Sequence, residues 1–285
     1  MNILETHKKL TEWFERRGVE SSRFASEIII SRTLEVPRVH IYAGFDRVMK
    51  ESELEAIRER GKRLVAGEPI QLIVGDCQFL SHFFKVKPGV FIPRPETEQL
   101  ALIAAEFFNS SNDTIGRKFL DLCSGTGVIS ISLLKSFPDM TAIGVDISET
   151  AVALSNHNAD TLGVSDRVSY YQGDMFSPVA AEEKFAAIVS NPPYIPTGDI
   201  ESLDPIVKDY DPALALNGGI DGLDFVRIIA SQGMSYLCPG GFIAIEIGIG
   251  QASCSIDILK QSGFNNCEAR KDLNGIERVV TAWAK

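Results

Sequence analysis

The chain has 285 residues, 28 basic and 38 acidic side chains for a net charge of −10, and hydrophobic and charged fractions of 45% and 23%. That length allows one large domain or two smaller ones with real cores, and the composition excludes disordered and fibrous classes. Residues 1–85 carry 14 Lys/Arg and 13 Asp/Glu (net +1) while 86–285 carry 14 and 25 (net −11), so the second part repels polyanions and argues against a broad nucleic-acid platform.

The amino terminus, MNILETHKKLTEWFERRG, has charges every few residues and no apolar segment, unlike a secretory signal. No apolar run approaches the ~18 residues of a membrane span. Cys77, Cys123, Cys238, Cys254 and Cys267 are widely spaced without a CxxC pair, and His7, His40, His82 and His157 show no ligand spacing. Reduced thiols, a cytoplasmic location and no metal site are the expectation.

Ile3, Leu4, His7, Leu10, Trp13 and Phe14 space one helical face, and a second runs from about Ser22 to Leu34 with Phe24, Ile28 and Ile29 on it. Ser52-Glu53-Leu54-Glu55 is a capping-box pattern opening a helix with Leu54, Ile57 and Leu64 inward, which ends at Gly67. Residues 1–66 are therefore expected to form a small helical bundle. Residues 67–95 change to short β-rich pieces around Phe79 and 83–90, then Pro88-Gly89 and Pro93-Arg94-Pro95, and read as a packed β-hairpin connector. Strand patterns follow at 118–123, 141–147, 168–174, 185–190, 241–248 and 278–284, with helical stretches ending at Leu134 and over 150–161, 222–236 and about 251–262. That alternation predicts an α/β fold over 96–285, a doubly wound, mainly parallel sheet covered by helices on both faces.

Asp121-Leu122-Cys123-Ser124-Gly125-Thr126-Gly127 leaves the first of these strands and opens a helix. Small residues there let backbone amides approach a ligand closely. Nineteen residues after Gly127, Asp146 ends the second strand, where a carboxylate accepts hydrogen bonds from ribose hydroxyls. The pair points to a nucleoside-containing cofactor. A dinucleotide loop has a third glycine where Ser130 stands, and Asp121 would repel a pyrophosphate while suiting the ammonium of S-adenosylmethionine. Cys123 reads as a small packing residue, with no histidine or second acid near it in sequence to activate it. After the third strand, Asp174 could bind an adenine amino group with Met175 or Phe176 over the ring, or the three could simply make a strand-end turn.

The fourth strand runs into Asn191-Pro192-Pro193-Tyr194, at the switch point of such a sheet. The Asn191 side-chain oxygen and the Pro192 carbonyl are two acceptors without competing local N–H groups. They match one planar –NH2 group, on whose plane Tyr194 can stack. An amide nitrogen is a poor nucleophile because its lone pair is delocalised. Holding both hydrogens orients that lone pair toward a methyl donor and stabilises charge developing on nitrogen.

DLCSGTG (121–127), GVD (144–146), GDMF (173–176) and NPPY (191–194), in this order, resemble class I S-adenosylmethionine-dependent methyltransferases that modify planar nitrogens. NPPY alone is shared by DNA adenine methyltransferases, some ribosomal RNA guanine methyltransferases and the HemK/PrmC enzymes. GEP (67–69), IPRPETE (92–98) and DYDPALALNGGIDGL (209–223) resemble the last group, so the likeness to PrmC-type release factor glutamine methyltransferases spans nearly the whole chain. It implies a seven-stranded sheet and methylation of the side-chain amide of the glutamine in the GGQ loop of peptide chain release factors, with no membrane or nucleic-acid substrate. It also implies that Cys123, Ser124, Gly125, Thr126, Gly127, Asp146, Met175 and Asn191 contact S-adenosylmethionine. Asn191, Pro192, Pro193 and Tyr194 would hold the glutamine, with Asn191, Pro192 and Tyr194 carrying catalysis. Cys123 and Ser124 stand where the family often has glycine and threonine, Met175 where an aromatic is usual, Leu72 for an aromatic or histidine, and Asp211 for glutamate. Arg94 reads equally as a carboxylate binder and as a surface turn residue, and Glu246 as a site acid or a structural one. A nucleic-acid base methyltransferase is the alternative, disfavoured by the −11 of residues 86–285. A non-catalytic nucleoside-binding module is opposed by Ser130 and the NPPY loop.

Overall fold

The structure is a computed structural model that describes residues 1–44, 46–110, 116–272 and 274–285. The chain divides into two compact units, Met1–Asp76 and Cys77–Lys285.

The first unit holds helices α1 (Ile3–Glu15), α2 (Ser22–Leu34), α3 (His40–Ala43), α4 (Glu51–Val65) and α5 (Ile70–Val74). Asn2 opens α1 with a reciprocal cap: its Oδ1 accepts from the Glu5 amide at 2.8 Å, and its own amide donates to Glu5 Oε2 at 3.2 Å. The buried face of α1 is Ile3, Thr6, His7, Leu10 and Phe14, while Leu4 is 50% exposed. On α2 the buried stripe runs through Ala25, Ile29 and Ile30, so Phe24, expected inward, instead lies out under the Arg38 guanidinium. The phase is set by the small residues Ser22, Ala25 and Ser26, which let α2 pack closely. The cap of α4 forms two residues earlier than the sequence pattern suggests, with the Lys50 amide donating to Glu53 Oε2 at 2.8 Å. Gly61 sits inside α4 because a Cβ there would lie 3.1 Å from the Trp13 ring. That close approach offsets a propensity cost of about 1 kcal/mol. The Glu68 carboxylate of the GEP turn is gripped by Arg63 on the last turn of α4.

The expected connector 67–95 is not one piece. Residues 70–74 are helical and belong with the first unit. A two-stranded sheet, β1 (Asp76–Phe79) and β2 (His82–Lys85), follows, and residues 86–96 have no regular structure. Ile70-Gln71-Leu72-Ile73-Val74 is an apolar run of β-branched type, which pattern alone does not separate from a strand.

The second unit continues with α6 (Thr97–Ser110), β3 (Lys118–Leu122), α7 (Val128–Ser136), β4 (Thr141–Asp146), α8 (Glu149–Leu162), β5 (Val168–Gln172) and β6 (Phe185–Ser190). After a 3-10 turn at Thr197–Ser202 come α9 (Pro205–Tyr210), α10 (Asp224–Tyr236), β7 (Leu237–Glu246), α11 (Ala252–Gln261), β8 (Asn265–Lys271) and β9 (Glu277–Trp283). The seven strands order β5-β4-β3-β6-β7-β9-β8. The first five pair in parallel, and β9 runs antiparallel between β7 and β8. This is the sheet of class I methyltransferases. Every residue of β6 is buried, as both faces of a parallel sheet require. Phe107 of α6 stacks on Phe242 of β7 at 4.6 Å. The apolar strands are interrupted by buried polar groups at one edge: Asp121 in β3, Ser190 ending β6 and Glu246 ending β7. No described helix is long and apolar enough to cross a membrane.

Candidate active site

β3 pairs with β4 on one side and β6 on the other, so the chain winds away in opposite directions from these two strands. The loops at their C-terminal ends part around a crevice. Residues 123–126, 146–148, 173–175 and 191–195, each from the end of a different strand, line it together with parts of 89–97 and 212–216.

The β3 loop is built from left-handed residues, Cys123 (φ 59°), Gly125 (φ 54°) and Gly127 (φ 79°). A Cβ on Gly125 would meet nothing within 4 Å and would project into open space. Gly127 differs: its Cβ would lie 2.6 Å from the Tyr170 hydroxyl, which pairs with Ser130 Oγ at 2.9 Å. Asp146 joins two loops, accepting from the Gly125 amide at 2.8 Å and the Ser148 amide at 2.9 Å. Each carboxylate oxygen keeps further acceptor capacity. Burial raises the Asp146 pKa, and those two amides draw it back. Asn158 ties the loop to the hairpin, donating to the Thr126 carbonyl at 2.9 Å and the Lys85 carbonyl at 3.1 Å and accepting from the Lys85 amide at 2.8 Å.

On the opposite wall, Asn191 Nδ2 donates to Thr97 Oγ1 at 3.0 Å. Among the described residues no donor bonds Asn191 Oδ1, which stays available as an acceptor. The NPPY turn rests on the segment 209–223. Ile195 N–H donates to the Leu216 carbonyl at 2.9 Å, and Gly218 N–H donates back to the Ile195 carbonyl at 2.8 Å. A Cβ on Gly218 would lie 2.8 Å from the Pro193 carbonyl oxygen, and one on Gly222 only 2.2 Å from that of Tyr194. Gln251 Nε2 donates to the Tyr194 carbonyl at 2.8 Å, completing the seat. Arg94 pairs with the buried Asp211 carboxylate, which also accepts from the Ile92 amide at 3.2 Å. The PRPET turn and the 209–223 segment are thereby clasped together.

Two buried carboxyl groups and a thiol lie at or behind this edge. Asp121 is fully buried, its Oδ2 accepts from the Ser130 amide at 3.1 Å, and its Oδ1 has no partner among the described residues. Burial pushes its pKa up to about 7; the Ser130 hydrogen bonds oppose this and Asp146 adds to it. Burial likewise pushes Glu246 up to about 7, against hydrogen bonding from the Thr97 and Tyr194 side chains. The Cys123 thiol is driven upward, by burial first and then by Asp146, and it contacts Met175 Sδ at 3.8 Å. It is a protonated packing group. Among the described residues no His, Cys, Asp or Glu cluster could hold a metal ion.

The sequence matches the PrmC N-terminal domain family over residues 5–75 and the methyltransferase small domain family over 83–219. A release factor glutamine methyltransferase from Geobacter sulfurreducens is 39% identical over 279 residues, which is 96% of this chain and 95% of that one. Another from Thermodesulfovibrio yellowstonii is 39% identical over 252 residues, 88% and 89% of the two chains. The chain belongs to the release factor glutamine methyltransferase family. A 16S rRNA methyltransferase from T. thermophilus, solved with AdoMet and guanosine, shares the fold at a TM-score of 0.52 and 19% identity, over 74% of this chain and 50% of that one. A methyltransferase from Pyrococcus furiosus does so at 0.50 and 12%, over 82% and 98%.

In this release factor glutamine methyltransferase family member, the residues singled out from sequence divide by position. Cys123, Ser124, Gly125, Thr126, Asp146, Met175, Asn191, Pro192, Pro193 and Tyr194 line one cleft. Gly127 lies behind it against Tyr170. Phe176, weighed with Met175 as a cover for a ring, is buried and stacked on Tyr236 at 4.8 Å. Arg94 is committed to Asp211. Sequence reading missed Thr97, Gln251 and Asn158. Thr97, which stands inside the IPRPETE stretch that carries the resemblance, was the one readable signal.

Proposed function

We propose that this chain transfers a methyl group from S-adenosylmethionine to the side-chain amide nitrogen of the glutamine in the GGQ loop of peptide chain release factors. The observation that carries this reading is the Asn191 carboxamide: its nitrogen donates to Thr97 and its oxygen has no donor among the described residues, in the cleft that Gly125 and Asp146 also line. The residues present suit the cofactor. Open space beside Gly125 admits a ligand against the backbone, and Asp146 has acceptor capacity left for a ribose diol. Asp121 Oδ1, without a partner among the described residues, leaves unfilled acceptor capacity behind the loop. In this reading Cys123, Ser124, Gly125, Thr126, Asp146 and Met175 surround the cofactor, with Gly127 shaping the loop from behind.

When bound, the cofactor supplies an electrophilic methyl group on a sulfonium. Asn191 Oδ1 and the Pro192 carbonyl hold the two amide hydrogens of the glutamine, which turns the nitrogen lone pair toward that methyl. The same two dipoles stabilise positive charge growing on nitrogen, and Tyr194 stacks on the amide plane. A strong base is not required, because an alkylated amide nitrogen is acidic.

Labelled methyl transfer to purified release factor, ribosomal RNA and DNA tests the reading. Label is expected on the release factor and is lost when its GGQ glutamine is replaced by alanine. Label on nucleic acid alone would overturn it. We also infer that the near-neutral helical unit docks the release factor body, so the whole factor should show a KM at least about tenfold below that of a short GGQ peptide. Equal KM values would remove that role.

A further inference from the structure

Thr97 opens α6, is 2% exposed, and touches the cleft. Its hydroxyl receives Asn191 Nδ2 at 3.0 Å. A carboxamide has an accepting end and a donating end of nearly the same shape, so which end faces the cleft decides what the cleft can bind. A hydroxyl has a single proton. If that proton is already given away, the oxygen can only accept, and a neighbouring carboxamide must turn its nitrogen toward it.

The acceptor for that proton is at hand. Glu246, at the end of β7, is 2% exposed, its Oε2 has no donor among the described residues, and the Thr97 and Tyr194 side chains lie close enough to favour its charged form. The charged groups facing it are Glu96, just before α6, and Arg278 on β9. A buried carboxylate with spare acceptor capacity draws a hydroxyl proton strongly.

We propose that Thr97 is a positioning residue for the transfer: its hydroxyl, donating to Glu246, locks the Asn191 carboxamide with Oδ1 toward the cleft and so selects an –NH2 group over a carboxylate in the substrate. The inference rests on the proposed glutamine substrate, because only that reading makes the accepting end matter. A glutamate would set its carboxylate against Oδ1 and the Pro192 carbonyl. With Thr97 silent, the Asn191 amide can turn, present its N–H groups, and tolerate that carboxylate.

The test uses the full chain and its Thr97→Val, Thr97→Ser and Glu246→Gln variants. Turnover is measured on release factor at saturating S-adenosylmethionine. Affinity is measured in S-adenosylhomocysteine for release factor carrying glutamine or glutamate at the GGQ position. Thr97→Val should lower kcat by about ten- to a hundredfold and cut the glutamine-over-glutamate preference by about tenfold, with S-adenosylhomocysteine affinity within about twofold of the parent. Thr97→Ser, which keeps the hydroxyl, should stay within about threefold on every measure. Glu246→Gln should reduce the preference by less than Thr97→Val, since its amide oxygen still accepts. A Thr97→Val enzyme that loses turnover with its preference intact has a structural defect only, and that overturns the inference. So does wild-type turnover in Thr97→Val. Failure of the unaltered chain to label release factor refutes the glutamine reading itself, whereas normal labelling with indifferent variants refutes only the role of Thr97.

Discussion

Alanine at Gly125, Gly127 and Gly144 should produce three different defects, although Gly125 and Gly127 share one loop and Gly144 lies in the neighbouring strand β4. At Gly125, φ is +54° and a Cβ meets nothing within 4 Å. The left-handed backbone costs about 1–2 kcal/mol for any residue with a Cβ, and packing adds nothing to the folded chain. The methyl group instead stands in the cleft, so the cofactor must give way; an overpacking cost of about 1–3 kcal/mol weakens binding by about five- to a hundredfold. At Gly127, φ is +79° and the Cβ falls 2.6 Å from Tyr170 Oη and 3.0 Å from an Ile131 methyl. Strain and overpacking then add to about 2–5 kcal/mol of lost stability, a large share of what a domain has. Gly144 has no positive φ, but its Cβ would lie 2.3 Å from the Tyr170 ring. Its alanine variant should lose about 1–3 kcal/mol by displacing that ring, without strain. Urea unfolding gives the stabilities, and calorimetric titration with S-adenosylhomocysteine on the folded variants gives the affinities. Parental affinity in Gly125→Ala would mean that this loop cradles nothing. A Gly127→Ala variant no less stable than Gly125→Ala would refute the Tyr170 packing account.

The other expectations address the acids and the amide clamp. Asp146→Ala should weaken S-adenosylhomocysteine binding by about ten- to a hundredfold through loss of charge-assisted hydrogen bonds; unchanged affinity by calorimetry removes it from the ribose role. Asn191→Ala should lower kcat on release factor by about a hundred- to a thousandfold while the fold and cofactor affinity hold, and near-parental turnover sinks the oriented-amide mechanism. Asp121 titrates at about 7 when folded, against an ordinary 3.8. Between those values the folded state binds the extra proton, so its contribution to stability falls as pH rises from about 4 to 7 and is level above that. The full effect is at most about 4 kcal/mol. Asp121→Asn removes it, so the variant should gain on the parent between pH 5 and pH 8 in urea titrations. A constant difference across that range contradicts the assignment.

Much of the fold was legible because a parallel sheet buries both faces of its strands, and FAAIVS or KFLDL then reads as an unbroken apolar run. β8 escaped the sequence pattern for the opposite reason. Asn265-Asn266-Cys267-Glu268-Ala269-Arg270-Lys271 is an edge strand with no fully buried position, so no alternation marks it. The inward phase of α2 was misjudged at Phe24 because small residues, which carry little hydrophobic signal, decide where two helices approach. Within the site, the residues of each loop could be named, but the contacts that give them meaning are remote. Asn191 is oriented by a residue 94 positions away, Tyr194 is held by one 57 away, and Arg94 finds its partner 117 positions downstream. The two prolines of NPPY restrict the turn; Gly218, Gly222 and Gln251 fix where that turn sits. The second part is invisible in the motif and explains why the 209–223 stretch is so rich in glycine.

The same logic applies to Cys123 and Met175, the two positions at which the resemblance leads one to expect other residues. Both positions have left-handed backbone, φ 59° at Cys123 and φ 49° at Met175, and neither is a glycine. Each carries a conformational cost of about 1–2 kcal/mol that glycine would reduce. The two sulfur atoms lie 3.8 Å apart on adjoining loops, and Met175 is buried in the core beneath the cleft. A thioether with three rotatable bonds fills irregular space and packs on a flat ring nearly as well as an aromatic does. Cys123 offers it a small polarizable neighbour where glycine would leave a gap. The two side chains therefore pack as one unit in the cleft floor. Cys123→Gly should therefore relieve backbone strain and loosen Met175 at the same time, leaving stability in urea unfolding within about 1 kcal/mol of the parent while S-adenosylhomocysteine affinity by calorimetry falls, and unchanged affinity would refute the pairing.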